Sequence, residues 1–307
     1  MRIDGTAYHM KTQHFFKLWR SPALFLAPAL SLIAVFFFIP VVASFLMSFT
    51  DFDIYSLADS SNARFVGLEN YKNLLSDPLF WKAMRNTLYF VFIGVPLSLL
   101  VSLGTALLLN SKLIRFMSLF RLAYFLPVVT TLVAVAVVWR YIYHPSFGLV
   151  NYLLSLLGVA TVDWLGNPKW AMLALIIMAV WKNFGYNMII FIAGLQNIPP
   201  ELYESARIDG AGKWQELLHI TIPMLMPTTV FVSIITIIGY FQLFAEPYVM
   251  TQGGPMNATL SIVLLMYQEG FRWWRMGYSA ALAFVLFLIL FMATLVQLRL
   301  QKRYSGV

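Results

Sequence analysis

Hydrophobic positions along the chain are gathered into six long runs, and the stretches between them hold nearly all of the charged residues. A helix rises 1.5 Å per residue, so about 20 residues cross the roughly 30 Å hydrocarbon core of a bilayer. The runs are continuous, unlike the alternating strands of a membrane β-barrel. They predict an all-α polytopic membrane protein with six transmembrane helices, at 24–49, 87–109, 122–139, 170–195, 224–245 and 276–298.

Composition supports a membrane protein with a single domain. Of the 307 residues, 60% are hydrophobic and 11% are charged, whereas an ordinary soluble domain has about 25% charged residues. The first run is longer than the apolar part of a cleaved secretory signal, so we expect it to stay attached. Residues 1–307 are therefore predicted to form one transmembrane domain. The absence of cysteine excludes disulfides, thiolate metal sites and thiol catalysis.

Topology accounts for the net charge of +8. With a cytoplasmic amino terminus, twelve basic residues lie on the inner side, and eight lie outside together with eight acids. Basic residues favour the cytoplasmic side. We therefore expect a multi-pass protein of a bacterial or archaeal cytoplasmic (inner) membrane, with both termini in the cytoplasm and no nucleic-acid partner. The inner basic residues are Arg2, Lys11, Lys17, Arg20, Lys112, Arg115, Arg121, Arg207, Lys213, Arg299, Lys302 and Arg303.

The longest outer loop contains a short amphipathic pattern from Asn73 to Trp81. Leu74, Leu75 and Leu79 have the spacing of one helical face, which predicts a short helix on the membrane surface. We expect this helix to pack on the bundle as a lid.

The loop at 197–222, between the fourth and fifth runs, predicts two short helices on the cytoplasmic side. Pro200 suits a first helical turn, and Asp209-Gly210 supplies a break where left-handed backbone is needed. An amphipathic second helix must bury its apolar face, either in its own bundle or in the groove of a partner. The face consists of Trp214, Leu217, Leu218 and Thr221, at i, i+3, i+4 and i+7.

This loop closely resembles the signature loop of ABC import permeases, which reads Glu-Ala-Ala, three residues, Gly, nine residues and Ile-x-Leu-Pro. Ser205 and Ile222 depart from that pattern, and both changes are conservative in size. Here the residues are Glu204-Ser205-Ala206, Gly210 and Ile220-Thr221-Ile222-Pro223.

The resemblance extends from about residue 24 to residue 300. Gly67-Leu68-Glu69-Asn70-Tyr71 and Met250-Thr251-Gln252-Gly253-Gly254-Pro255 look like the carbohydrate branch, which includes the permease subunits of maltose and glycerol-3-phosphate importers. It implies the type I ABC importer permease fold, with a second permease subunit, two copies of a cytoplasmic ATPase subunit and an extracytoplasmic solute-binding protein as partners. ATP and Mg would be used by the ATPase, so no cofactor or metal is expected in this chain.

In that family the loop is the coupling helix, which docks into a cleft of the ATPase subunit. The resemblance therefore assigns ATPase coupling to residues of this loop. They are Glu204, Ser205, Ala206, Asp209, Gly210, Trp214, Leu217, Leu218 and Pro223.

Polar groups inside the runs suggest a substrate path, because such groups are costly in lipid and usually face the bundle interior. Aromatic planes with amides and hydroxyls suit a sugar, although interhelical hydrogen bonds and an interfacial aromatic belt explain the same residues. Lys182 has no acid within reach on its own helix, so it requires a partner, a cavity or the interface. The candidates are Lys182, Asn183, Tyr186, Asn187, Tyr240, Gln242, Phe244, Glu246, Tyr278 and Ser279.

Other function classes have less support in the sequence. It contains no Gly-x-x-x-x-Gly-Lys-Ser/Thr phosphate loop and neither a His-Glu-x-x-His nor a Gly-x-Ser-x-Gly motif, so we do not expect an enzyme. The alternative is a secondary, ion-coupled solute transporter, but these usually keep intramembrane carboxylates and repeated halves. Glu246 is the only acidic residue near a run. A channel is a further alternative, and no feature of the sequence supports it. The sequence thus favours the permease subunit of an ATP-driven importer for a sugar or sugar-like solute.

Overall fold

The computed structural model describes residues 25–110 and 116–304, and its regular structure is helical apart from one bridge between Thr50 and Phe65. The predicted start of the first span at Leu24 and six inner basic residues, Arg2, Lys11, Lys17, Arg20, Lys112 and Arg115, lie outside these ranges. Five helices in the described part are long and apolar enough to cross a membrane: Phe25–Met47, Pro78–Asn110, Ala171–Gln196, Met226–Met250 and Met276–Arg299.

We call these helices the first, second, fourth, fifth and sixth spans. The third span is different, and the prediction of one helix over 122–139 is wrong. Two helices, Met117–Val129 and Leu132–Ile142, meet there at a bend of 100°. The hydroxyl of Thr130 donates to the carbonyl of Pro127 (2.6 Å), and the backbone is extended at Thr130 and at the next residue. Pro127 also has no N–H to donate to the carbonyl four residues earlier, which weakens the last turns of the first of these helices.

The third span still runs along the fourth span, antiparallel to it. The Tyr124 ring contacts Phe184 (5.6 Å between centroids), whereas the Tyr143 hydroxyl donates to the carbonyl of Ala174 (3.0 Å). A Cβ at Gly185 would collide with the carbonyl oxygen of Tyr124, so glycine is required for this close approach. Counted as one broken span, the bent pair brings the total to six.

The second span begins at Pro78 rather than at residue 87, and the predicted helix over 73–81 is divided. A separate helix covers Glu69–Ser76. Asp77 has an extended backbone, as the residue before a proline usually does, and its carboxylate accepts the N–H of Leu79 at 2.8 Å. Asp77 thus caps a helix that starts with proline, and Leu79 belongs to the second span.

The fourth span covers its predicted range to within a residue. The fifth is a helix over Met226–Phe241, a break, and a further turn over Ala245–Met250, and the sixth continues to Tyr304. The buried core is centred on the second and fourth spans, and residues of the third, fifth and sixth spans complete it. No residue of the first span is buried up to Met47. The ring of Phe45 in this span packs on Phe284 of the sixth span.

Three loops meet at one end of the bundle, which we call the outer end. Hydrogen bonds join Tyr278 to Asp77 (3.0 Å), the amine of Lys82 to the carbonyl of Met256 (2.6 Å), and Arg140 to the carbonyl of Val249 (3.4 Å). These contacts connect the outer ends of the second, third, fifth and sixth spans with one another and with the loops that follow the first and fifth spans. The loop at 197–222 follows the fourth span and lies at the opposite end.

Candidate substrate cavity and coupling loop

A cavity of about 460 Å³ lies between the second, third, fourth and fifth spans. Its volume is in the range of small-ligand pockets. The break in the third span contributes Val128 and Leu132 to its wall. Seven of the ten residues predicted for the substrate path line this cavity: Asn183, Tyr186, Asn187, Tyr240, Gln242, Phe244 and Glu246.

Helix geometry brings these seven side chains together. Asn183, Tyr186 and Asn187 are three and four residues apart, so they share one face of the fourth span. The fifth span loses helical geometry after Phe241, and the segment 242–246 turns to the same cavity. A Cβ at Gly94 would be 2.6 Å from the ring of Tyr240, so the tyrosine can pack there only because residue 94 is glycine.

Some of the polar groups are already engaged by neighbouring helices. The amide of Asn187 donates to the hydroxyls of Thr236 (3.0 Å) and Ser98 (3.4 Å) and so joins the second, fourth and fifth spans. The amide of Asn183 donates to the carbonyl of Ala179 (3.0 Å). Interhelical bonding, the alternative explanation from the sequence, therefore accounts for Asn187. Thr236 also lines the cavity, and its place within an apolar run was the signal that could have identified it.

Other groups remain available to a solute. The buried hydroxyl of Tyr240 faces Ser98 and Asn183 without a hydrogen bond of ordinary geometry. Gln242 is exposed at the cavity wall, and Glu246 is a buried residue of the same wall. Gln242 is therefore the polar group best placed to bind the hydroxyls of a ligand, with Tyr240 and Glu246 beside it.

Lys182 lies behind the cavity wall rather than on it. It is only 7% exposed, and its amine donates to the carbonyl of Val128 at 3.0 Å. That carbonyl belongs to the last turn of the first half of the third span, where a cation also favours the helix dipole. Glu246 is close enough for the two charges to attract. The partner that the sequence predicted for Lys182 is thus the carboxyl end of the first helix of the third span.

Tyr278 and Ser279 do not line the cavity, contrary to the expectation that they share the path. The Tyr278 hydroxyl donates to Asp77 (3.0 Å), and the Ser279 hydroxyl donates to the carbonyl of Met266 (2.8 Å). Both bonds hold the outer end of the sixth span to loops. The sequence placed these residues at the start of a helix but contained no information on which side they face.

The predicted coupling loop forms two helices with a tight turn between them. The first covers Pro200–Ile208, and the second begins at Lys213–Glu216 and continues through a π-helical turn to residue 224. Gly210 has φ of +82° in the turn, as expected. The helices are joined by an exposed ion pair between Arg207 and Glu216 (2.8 Å), which raises the pKa of the arginine, and a cleft of about 360 Å³ lies between them.

The apolar face of the second helix is divided between the bundle and the solvent. Thr221 is buried, and its hydroxyl is bonded to Tyr203 (2.9 Å), whereas Trp214 is 75% exposed. Leu217 is half-buried and Leu218 is exposed. Ile208 extends the exposed apolar surface across the turn. Of the other residues assigned to coupling, Ala206 is half-buried, and Glu204, Ser205, Asp209, Gly210 and Pro223 are exposed.

A helical membrane bundle with a cavity that several polar side chains line, and with exposed apolar residues on the loop at one end, is what a membrane transport subunit with a partner would have. The chain belongs to the family described as binding-protein-dependent transport system inner membrane component, which matches residues 18–306.

Individual relatives agree with this family, and a solved structure shares the fold. The chain is 37% identical to the arabinooligosaccharides transport system permease protein AraP of Bacillus subtilis, over 95% of this chain and 92% of that protein. It is 37% identical to the lactose transport system permease protein LacF of Rhizobium radiobacter, over 89% of this chain and 91% of that protein. The fold matches a chain of a bacterial alginate ABC importer with a TM-score of 0.82 and 23% identity, over 96% and 99% of the two chains.

The chain is therefore a permease subunit of an ABC importer, a transport component of the inner membrane and not an enzyme. It crosses the membrane several times and works with a binding protein. This assignment replaces the ion-coupled transporter and the channel, which the sequence had left as alternatives.

Proposed function

We propose that this permease imports a neutral sugar, delivered by an extracytoplasmic binding protein. The sugar passes through the cavity that the second, third, fourth and fifth spans line. One observation carries the proposal: Tyr240, Gln242 and Glu246 line a sugar-sized cavity together with aromatic side chains. Among the described residues of the cavity wall there is one acid and no base. The wall therefore offers no cation to pair with a sugar phosphate or a uronate, so a neutral solute fits better.

Relatives support a carbohydrate as the solute. The proteins named for arabinooligosaccharides and for lactose share more than a third of their residues with this chain over nearly its whole length. By analogy with the carbohydrate branch, we infer a complex with a second permease subunit and two copies of an ATPase subunit. ATP and Mg act at the ATPase subunits.

The loop at 197–222 can transmit a movement of the ATPase to the cavity, because the two spans that it connects both line the cavity. The fourth span carries Asn183 and Tyr186, and the fifth carries Tyr240 and the break after it. Closure of the ATPase pair would displace the loop and move these two cavity walls relative to the second span. The cavity would then open to the outer side and accept the sugar from its binding protein.

We also propose that both termini and the loop at 197–222 lie in the cytoplasm. The excess of basic residues at that end supports this orientation. It also places the exposed side chains of Trp214 and Leu218 where a cytoplasmic ATPase can bury them.

Gln242→Leu tests the proposed path. The amide is exposed at the cavity wall and makes no contact that holds the helices together in the described part of the chain, so we expect about tenfold slower sugar uptake with normal assembly. Gln242→Asn should keep much of the uptake. Asn187→Leu is the contrasting variant, since it removes bonds to Ser98 and Thr236 and should lower the yield of assembled complex as well.

Uptake into proteoliposomes and the amount of co-purified ATPase are measured for all three variants. Uptake at the wild-type rate by Gln242→Leu would remove this residue, which is the exposed amide of the proposed path, from the contacts of the solute.

A further inference from the structure

A short helix at the outer end of the bundle turns its apolar side outward. It covers Leu149–Leu156, in the loop between the third and fourth spans. Positions i, i+3, i+4, i+7 and i+8 share one side of a helix, and the five side chains at these positions are each between 52% and 79% exposed. We call them the leucine face, which consists of Leu149, Tyr152, Leu153, Leu156 and Leu157.

The opposite side of this helix is fixed by a buried asparagine. The amide of Asn151 donates to the carbonyls of Pro145 (3.2 Å) and Val162 (2.8 Å). Its oxygen accepts the backbone N–H of Val162 (3.1 Å) and the indole N–H of Trp164 (3.1 Å). A helix on a surface in water has its polar side outward, and here the arrangement is reversed. The bonds of Asn151 therefore hold the leucine face in its outward direction.

A second helix of eight residues at the same end has the ordinary arrangement. It covers Glu69–Ser76 and buries the side chain of Leu74. Its exposed side has the same spacing of three and four residues, but the residues are polar: Glu69, Lys72, Asn73 and Ser76. This helix is suited to water, whereas the leucine face requires apolar surroundings.

The position of the leucine face along the bundle is set by a bond to the fourth span. The hydroxyl of Tyr143 donates to the carbonyl of Ala174 (3.0 Å), which is three residues beyond the start of that span at Ala171. At 1.5 Å per residue, Ala174 lies about 5 Å inside the span. The bond from Asn151 to Pro145 keeps the short helix close to this level. The leucine face thus lies where the fourth span enters the bilayer.

Aromatic rings occur at the same level. The ring of Trp164 contacts those of Tyr143 and Trp170, with 5.6 Å between centroids in each pair. Tryptophan and tyrosine concentrate at the boundary between lipid tails and headgroups. The rings at the base of the loop therefore have the composition of that boundary.

The charges around the loop favour lipid over a protein as the partner of the leucine face. No charged residue occurs from residue 145 to residue 162. Exposed cations lie on both sides, Arg140 in the third span and Lys169 before the fourth, where they can pair with lipid phosphates. The one acid between them in sequence, Asp163, accepts the backbone N–H of Gly166 (2.8 Å). A protein interface has a polar, hydrogen-bonded rim, which this uncharged stretch does not supply.

We infer that the loop at 143–164 is an interfacial anchor, whose leucine face inserts among the lipid tails of the outer leaflet. The anchor holds the outer ends of the third and fourth spans at a fixed depth, while the loop at 197–222 is displaced at the other end. Both spans line the cavity, so the anchor gives the moving bundle a fixed point at the membrane surface. This inference does not depend on the identity of the solute.

Single cysteines test the anchor, since the chain itself contains no cysteine. Leu153→Cys and Leu156→Cys place a nitroxide label on the leucine face, and the matched control Asn73→Cys places it on the polar side of Glu69–Ser76. All three side chains are exposed, so the substitutions leave no cavity in the chain. The complete complex is reconstituted in vesicles of phosphatidylcholine and phosphatidylglycerol, and the signal of labelled wild-type complex is subtracted.

Collisions of each label are measured with oxygen, which concentrates in lipid, and with a water-soluble nickel chelate. We expect the ratio of oxygen to nickel collisions to be several-fold higher at both positions of the leucine face than at Asn73. The ratio should correspond to a depth of about 5–10 Å below the headgroups. Addition of the binding protein should leave it unchanged.

Three other results would overturn the anchor, and each identifies a different partner. Nickel collisions as frequent as at Asn73 would place the leucine face in water. Immobile labels that neither reagent reaches would show that the second permease subunit covers the face. Labels that lose their collisions only when the binding protein is added would show that the binding protein docks there. None of these results bears on the proposed import of a sugar.

Discussion

Gly210→Val is expected to reduce both ATPase retention and sugar uptake by at least about tenfold. Gly210 has φ of +82°, where an L side chain costs about 1–2 kcal/mol and a β-branched one is especially unfavourable. A Cβ at this position would meet no other atom of this chain within 4 Å. The cost within the chain is therefore limited to backbone strain, and a larger effect requires a partner on the loop.

Two other glycines separate strain from contact with the partner. Gly158 also has positive φ (+73°) with open space around it, but it lies at the outer end, so Gly158→Val introduces similar strain away from the ATPase. Gly212 lies in the coupling loop with φ of −79° and ψ of 165°, which valine adopts readily. Both controls should retain the ATPase when the complex is purified through this chain. Equal loss in Gly158→Val would attribute the Gly210 effect to general destabilisation.

Lys182→Met is expected to destabilise the assembled protein by about 1–3 kcal/mol. The substitution keeps the length of the side chain but leaves the carbonyl of Val128 without its donor at the broken helix end. It also removes the cation that attracts the buried carboxyl group of Glu246. Release of the lysine from burial offsets part of this cost, because a buried charge is itself unfavourable.

A double-mutant cycle isolates the attraction between the two residues. Lys182→Met and Glu246→Gln should each lower the midpoint of thermal unfolding in detergent. The double variant should be more stable than the sum of the single effects predicts, by about 0.5 kcal/mol or more. Strict additivity would show that Lys182 acts only on the third span and that Glu246 is independent of it.

Local signals in the sequence predicted the coupling loop well. Asp209-Gly210 and Pro200 act within a few residues of their own positions, and the turn and the two helices occur where these residues place them. The sequence left open whether the bundle or a partner buries the face that includes Leu217 and Thr221, and the bundle buries Thr221 and half-buries Leu217. Their burial depends on contact with the bundle, including the bond between Tyr203 and Thr221, which helical spacing alone does not report.

Hydropathy predicted the spans but not their interruptions. The run at 122–139 is apolar throughout, and its break depends on Thr130 bonding back to Pro127 and on Lys182 reaching Val128 from 54 residues away in sequence. The start of the second span was missed for another reason. Lys82 and Arg85 looked like loop residues, although Asp77-Pro78 is a helix start that is visible in the sequence.

The candidate path was predictable on the fourth span, where spacing of three and four places polar residues on one face. It was not predictable for Tyr278 and Ser279. No pattern in the sixth run indicates which of its residues face the cavity and which contact the outer loops. The rings of Tyr248 and Tyr267 lie 5.3 Å apart, although they belong to different segments. Only the fold brings such residues together.

Solute-stimulated ATP hydrolysis by the wild-type complex tests the central claim most directly. The complex is purified through this chain, reconstituted with its binding protein and supplied in turn with neutral sugars, uronates and sugar phosphates. Our account predicts that at least one neutral sugar stimulates hydrolysis several-fold and is taken up, and that the anionic sugars do neither. Stimulation by anionic sugars alone, or by none of these solutes, would contradict it.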